Sequence, residues 1–477
     1  MFGPHRLPCE TPRAHASARS ESEREGKPSR FVLPATVLGS SLSFIDGSVV
    51  NVALPAIAGD LGADLATMQW VVNGYMLTFA SLILLGGAAG DRLGRRRIFL
   101  VGLAAFAAAS AVAGLAPSAE WLVALRTVQG AAAALVTPAS LAIIGEAYKG
   151  DSRGPAIGVW AATGALTTAL GPVLGGWMVD TIGWRSIFFI NVPVAAAAIF
   201  LALRLPKDRA RTETGPLDLS GALLAVLALG LLCYGLIGLG DGRPVSGGAA
   251  VLISLPVALL FLRAEMRAPA PMMTLSLFRN RNFAGANGLT LLLYAALTGA
   301  LFLLPFTLIE VHGYTATAAG AAFLPFAALM GLGSHWSGKL VERIGARWPL
   351  IVGPSITAAG FALLAVSGAD PNYWTGFLPG LSIVGVGMTL SVTPLTTAVF
   401  DAAPDEMSGT ASGINNAAAR AAGLVAVAAL GLAFGGAEAA SLEPGELMRA
   451  FRIVMFAAAG LAAAAALVAA LTIEAKE

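Results

Sequence analysis

Charged residues are scarce in this sequence: Asp, Glu, Lys and Arg make up 12% of 477 residues, against 56% hydrophobic, and mean hydropathy is +0.75. So little charge cannot build the polar shell that soluble domains of this length need, which excludes them. Cysteine is nearly absent. Cys9 lies in a polar tail and Cys233 in an apolar run, so neither a disulfide framework nor a thiol nucleophile is expected. The histidines His5, His15, His312 and His335 are scattered without zinc spacing, and no metal or cofactor is expected. No phosphate-binding loop with its Lys is present. The series Gly235-Leu236-Ile237-Gly238-Leu239-Gly240 follows no strand and ends an apolar run, so ATP drive is not expected. Nor is a nucleic-acid partner.

What is abundant is long apolar runs. A membrane helix needs about 20 mostly apolar residues at about 1.5 Å rise each. About fourteen such runs are present, the first six at about 32–57, 68–88, 98–116, 120–146, 155–178 and 186–205. Two more lie at about 217–239 and 247–265, and six at about 284–309, 316–336, 348–367, 375–398, 409–434 and 450–472. Strand-like alternation is absent, and helices alone satisfy their backbone groups within lipid. Residues 1–30 are polar without an apolar core, so they read as a disordered cytoplasmic tail or an overcalled start, not a signal peptide. With the tail inside, about 24 Lys and Arg fall on the inner side and about four, Arg185, Arg243, Arg449 and Arg452, outside. This predicts a multi-pass protein of the cell inner membrane with both termini cytoplasmic. Trp121, Trp177, Trp184 and Trp374 near outer ends, and Trp336 and Trp348 near inner ends, agree with that orientation.

A repeat divides the chain. Gly87-Ala88-Ala89-Gly90-Asp91-Arg92-Leu93-Gly94 and Gly338-Lys339-Leu340-Val341-Glu342-Arg343-Ile344-Gly345 share Gly, three residues, an acid, Arg, one residue, Gly. Both follow the second helix of a six-helix set. The expected organisation is a tail over 1–30, a six-helix bundle over 31–206, two inserted helices over 217–266 and a second six-helix bundle over 283–472. Repeats of this kind build transporters whose substrate site lies at the repeat interface.

Further motifs carry a family resemblance. The first loop continues Arg95-Arg96-Arg97, so Gly87, Asp91, Arg92, Gly94, Arg95 and Arg97 match the loop signature of the major facilitator superfamily. Arg126-Thr127-Val128-Gln129-Gly130 resembles its proton-coupling motif, and Gly164 with Gly171-Pro172-Val173-Leu174-Gly175-Gly176 resembles the antiporter motif of drug exporters. Asp46-Gly47-Ser48-Val49-Val50-Asn51-Val52-Ala53-Leu54-Pro55 is similar to the first-helix motif of the fourteen-helix drug/proton antiporters, the EmrB/QacA-type subfamily, though Gly47-Ser48-Val49 departs from the usual Thr-Ile pair. Trp184-Arg185, Phe188-Phe189-Ile190-Asn191-Val192-Pro193 and Ser408-Gly409-Thr410-Ala411-Ser412-Gly413 with Arg420 resemble the same subfamily. The resemblance implies an all-α membrane fold of two pseudo-symmetric six-helix bundles plus two inserted helices. It implies a non-enzyme that exports lipophilic small molecules against protons by alternating access.

The residues suggest the chemistry directly. A charge inside a span costs about 3 kcal/mol and needs a reason. Asp46, Arg126 and Arg420 lie well inside spans, whereas Glu146, Asp180, Asp218, Glu310 and Asp401 fall near helix ends within reach of water. Asp46 and Arg126 reach about the same depth, so Asp46 is expected to carry the proton, with Arg126 biasing its charge inside a water-accessible cleft between the halves. A permanent ion pair that only fixes packing is the alternative. Arg420 has no evident acid partner and reads as structural, bonded to backbone carbonyls. Gly171 and Pro172 suggest close helix packing with a kink that gates the outer side. Asp91, Arg92, Gly94 and Arg95 form a candidate latch on the inner face, an assignment that rests mostly on the resemblance. Asn51, Trp70, Asn73, Tyr75, Gln129, Tyr294 and Phe302 are candidate substrate contacts, aromatic faces suiting flat lipophiles and cations. With no buried acid in the last six spans, a neutral or singly charged lipophile is expected over a dication. A monomer is expected, with a periplasmic adaptor as an open partner. A proton-coupled importer, or a non-transporting scaffold, stays open as an alternative.

Overall fold

The computed structural model describes residues 29–206, 208, 217–269, 271–404, 407–434 and 444–474. Residues 1–28, which hold nearly all of the expected tail, lie outside the described residues. The first helices are α1 (Val32–Leu61), α2 (Leu65–Leu93), α3 (Arg95–Ala113), α4 (Ala119–Ala147) and α5 (Arg153–Thr181). A short turn α6 (Ser186–Phe189) leads into α7 (Asn191–Ala202), followed by α8 (Leu219–Gly240) and α9 (Pro244–Arg267). Then come α10 (Arg281–Phe306), extended by a π-turn over Thr307–Val311, α11 (Ala316–Ala321) and α12 (Leu324–Ile344). The chain ends with α13 (Arg347–Ser367), α14 (Tyr373–Gly376), α15 (Leu378–Asp401), α16 (Ser408–Ala429) and α17 (Pro444–Thr472).

Among the described residues, 13 helices are long and apolar enough to cross a membrane, α11 and α12 counting together. The run expected at 186–205 is the exception: it forms a shorter apolar helix over Ser186–Ala202. Its C-terminus is fixed by Arg96, whose Nε and Nη2 donate to the carbonyls of Ala202 at 3.0 Å and Leu203 at 2.7 Å. A guanidinium there satisfies carbonyls that would otherwise need further helix.

The repeated loops have a backbone cause. Gly94 and Gly345 adopt φ of +102° and +75°, and each ends a helix by bonding back four residues, to Gly90 and Val341. A side chain there would be strained, so the last glycine of each repeat is needed for the turn itself.

Helix pairings recur between the halves. In the first half α1 packs on α5 and α7, α2 on α4, and α3 on α4 and α7. In the second, α10 packs on α16 and α17, α12 on α15, and α13 on α15 and α17, each at the same ordinal place. The halves meet where α2 packs on α16, α5 on α11 and α12, and α1 on α10. The inserted helices α8 and α9 pack on each other, and α8 also touches α2 and α16. That seam holds Cys233, wholly buried beside Ile237, Leu424 and Ala428, with Trp70 packed against it. Arg92, Arg95–Arg97 and Lys339 share one end of the bundle, termed here the basic end.

Candidate functional site

Asp46 lies about 20 Å along α1 from the basic end and Arg126 about 10 Å along α4 from the other, so antiparallel helices bring them level. The structure joins them. Asp46 is 2% exposed and Arg126 1%, and the Arg126 Nη1 donates directly to the Asp46 carboxylate. The guanidinium is held on three further sides. Its Nε donates to the Val71 carbonyl at 3.2 Å, Nη1 donates to Gln129 Oε1 at 3.1 Å, and its plane lies 4.3 Å from the Tyr75 ring centroid. The carboxylate is held by amides: Asp46 Oδ1 accepts from Asn191 Nδ2 at 3.3 Å and Gln129 Nε2 at 3.5 Å. Both amides also donate to Ser110 Oγ, at 2.9 Å and 2.8 Å.

This network draws on α1, α2, α3, α4 and α7, all of the first half. It therefore differs from the cleft position expected from the sequence: the pair is enclosed within one bundle. Sequence reasoning missed Ser110, and met Asn191 only inside a family motif without assigning it a role. Gln129, expected to touch substrate, instead links Ser110 to the ion pair and is wholly buried. Tyr75 is likewise enclosed, with its hydroxyl donating to the Ser43 carbonyl at 3.2 Å.

The other candidate contacts are dispersed. Phe302 is 1% exposed and stacks on Phe306 in the core of the second half. Trp70 sits in the α2–α8–α16 seam. Asn51 is half-buried on α1. Asn73 is wholly buried, and neither of its amide atoms has a hydrogen-bond partner among the described residues. Tyr294 is half-buried on α10, within electrostatic reach of Arg420. Among the described residues Arg420 has no bond to a backbone carbonyl, unlike the sequence expectation. Among the described residues its Nε is buried without a partner, and its guanidinium stacks on Phe79 at 3.8 Å.

On the basic face Arg95 pairs with Asp91 at 2.8 Å and Glu146 at 3.2 Å, and donates to the Ala142 carbonyl at 3.1 Å. These contacts fasten the α2–α3 turn to the end of α4, within one half. Arg92 turns inward, with its Nη1 buried and without a partner among the described residues. The glycine face of α5 serves two neighbours. A Cβ at Gly171 would overlap Ser48 of α1, and one at Gly176 would overlap the Ala316 carbonyl of α11. Gly320 of α11 in turn sits on the Pro172 carbonyl. Asp180 accepts from the Ala316 N–H at 3.1 Å and from the Thr317 N–H and Oγ1 at 2.8 and 2.5 Å. The carboxylate of one half thus caps a helix of the other, away from the basic end.

Comparison with known proteins agrees with this architecture. The family model described as Major Facilitator Superfamily matches residues 36–428. The multidrug resistance protein Stp of Mycobacterium tuberculosis is 37% identical over 421 residues, covering 87% of this chain and 77% of that protein. The tetracenomycin C resistance and export protein of Streptomyces glaucescens is 35% identical, covering 88% of this chain and 78% of that protein. The methylenomycin A resistance protein of Bacillus subtilis is 34% identical, covering 84% and 86%. Among solved structures, a bacterial homologue of the human lysosomal transporter Spinster superposes with a TM-score of 0.65 at 19% identity, covering 93% of this chain and 96% of that one. With the family model matched over most of its length and the repeated helix pairings in place, this chain belongs to the Major Facilitator Superfamily.

Proposed function

We propose that this protein exports lipophilic small molecules in exchange for protons, as a fourteen-helix drug/proton antiporter of the EmrB/QacA type with both termini cytoplasmic. The relatives are named for multidrug resistance, antibiotic resistance and export, which supports the direction of transport. The observation that carries proton coupling is the enclosed Asp46–Arg126 pair with its amide collar. Arg126 favours ionised Asp46, and burial favours the neutral acid. A movement that parts the guanidinium from the carboxylate, or admits water, tips that balance and moves one proton. Each charge crossing 100 mV supplies about 2.3 kcal/mol.

The substrate path is proposed to run between the halves, divided at about 31–206 and 283–472. The α5–α11 contacts support a state sealed at the end away from the arginines. The Arg95 cluster, whose contacts given above lie within one half, is proposed to release and re-form as the halves rock. Asp46→Asn in proteoliposomes with an imposed pH gradient is expected to lose proton-driven efflux of a cationic dye such as ethidium, and its coupled proton flux, while still inserting. Efflux at the unmodified rate by that variant would reject the assignment.

A further inference from the structure

Arg126 and Arg420 are both cations deep in the helical core, but among the described residues only Arg126 has a counter-charge. Arg420 lies about 18 Å along α16 from the basic end, near the middle of a hydrocarbon core about 30 Å thick. A cation at that depth is costly and calls for a partner. Arg126 has a carboxylate, a side-chain amide and a carbonyl. Among the described residues Arg420 has no ion pair, and its buried Nε donates to nothing. The ring of Phe79 neutralises part of the charge but accepts none of the in-plane N–H bonds of a guanidinium.

Three further observations bear on what completes it. Arg420 belongs to the second half and Phe79 to the first, so the guanidinium sits in the seam between the halves. The hydroxyls of Tyr75 and Tyr294 lie within electrostatic reach, which puts two aromatic hydroxyls beside the charge. Arg420 is half-buried, and Asn416, one helical turn towards the basic end, is exposed, with Ser412 one turn further. Residues four apart share a helix face, so a polar stripe leads from the basic end to the guanidinium.

We propose that Arg420 is the anchor of a binding site for an organic anion with a flat aromatic body, its carboxylate or phenolate pairing with the free guanidinium edge and its rings lying along the half-buried Tyr294. This deepens the export reading and rests on it for the role of the site. Acidic lipid headgroups offer the same chemistry, but they stay near the bilayer surface, about 18 Å short of Arg420.

The test is equilibrium binding of pyrenebutyrate and of its neutral methyl ester to the full chain in phosphatidylcholine nanodiscs, protein-free nanodiscs subtracted. The unmodified protein is expected to bind the acid at least about ten-fold tighter than the ester, a typical charge-assisted gain. Arg420→Gln removes that preference and leaves ester affinity unchanged, while Arg420→Lys keeps most of it and guards against a folding defect in the first variant. Equal affinity for acid and ester in the unmodified protein, or an intact preference in Arg420→Gln, overturns the proposal. So does loss of the preference when phosphatidylglycerol is included, which would assign the guanidinium to lipid. Because no gradient is applied, Asp46→Asn is expected to retain the preference even where proton-driven efflux fails, which separates this site from the coupling mechanism.

Discussion

Asp46 and Arg126 are each held by more than the other. Two amides steady the carboxylate, and a carbonyl, an amide oxygen and an aromatic face steady the guanidinium. Removing one charge therefore leaves the other buried, which costs about 3–5 kcal/mol, more than the pair's net contribution. Arg126→Gln is expected to lower the thermal midpoint of the detergent-solubilised protein, and Asp46→Asn combined with Arg126→Gln to recover most of the loss. A double variant no more stable than Arg126→Gln alone would show that the charges are not what the collar compensates. The two charged members were legible in the sequence because burying a charge is so unfavourable that few positions tolerate it. Ser110 and Asn191 were not, because a polar side chain in a membrane helix often bonds to its own backbone, as Thr290 does to the Ala286 carbonyl at 2.9 Å. Tyr75 and Phe302 show the converse: an aromatic residue reads the same in sequence whether it lines a path or fills a core.

The fifth helix joins two neighbours with one glycine-rich face. Gly164, Gly171 and Gly175 admit Phe44, Ser48 and Val49 of α1, while Gly176 admits the backbone of α11 from the other half. Packing this close is sensitive to single methyl groups. Gly176→Val is expected to leave α1 docked, force α11 away and widen the gap between positions 180 and 317. Spin labels placed near those positions would read the widening as a longer distance, with transport reduced and membrane insertion retained. An unchanged distance distribution would remove α5–α11 as the seal. The spacing of small residues was readable in the sequence as close packing, but not whose backbone it admits. Asp180 is the exposed helix end that the sequence suggested, but its contact with α11 was not readable, since that partner lies far away along the chain.

The whole molecule repeats its helix pairings across two halves, an outcome foreshadowed by the matching loops that end at Gly94 and Gly345. Apolar length was enough to find the membrane helices, because backbone satisfaction in lipid leaves little choice. The sixth run is the shortest among the described residues, ending at Ala202, where a guanidinium meets its last carbonyls. The inserted pair α8–α9 left no mark on that symmetry, but its docking has a practical outcome. Cys233 is wholly shielded where α8 meets α2 and α16, and the chain has 2 cysteines. In a Cys9→Ser background this thiol becomes a silent reporter, readable by maleimide mass tagging during turnover. If the inserted helices stay seated through the cycle, alkylation remains slow with or without a gradient. Faster tagging under a gradient would instead make them a moving third body.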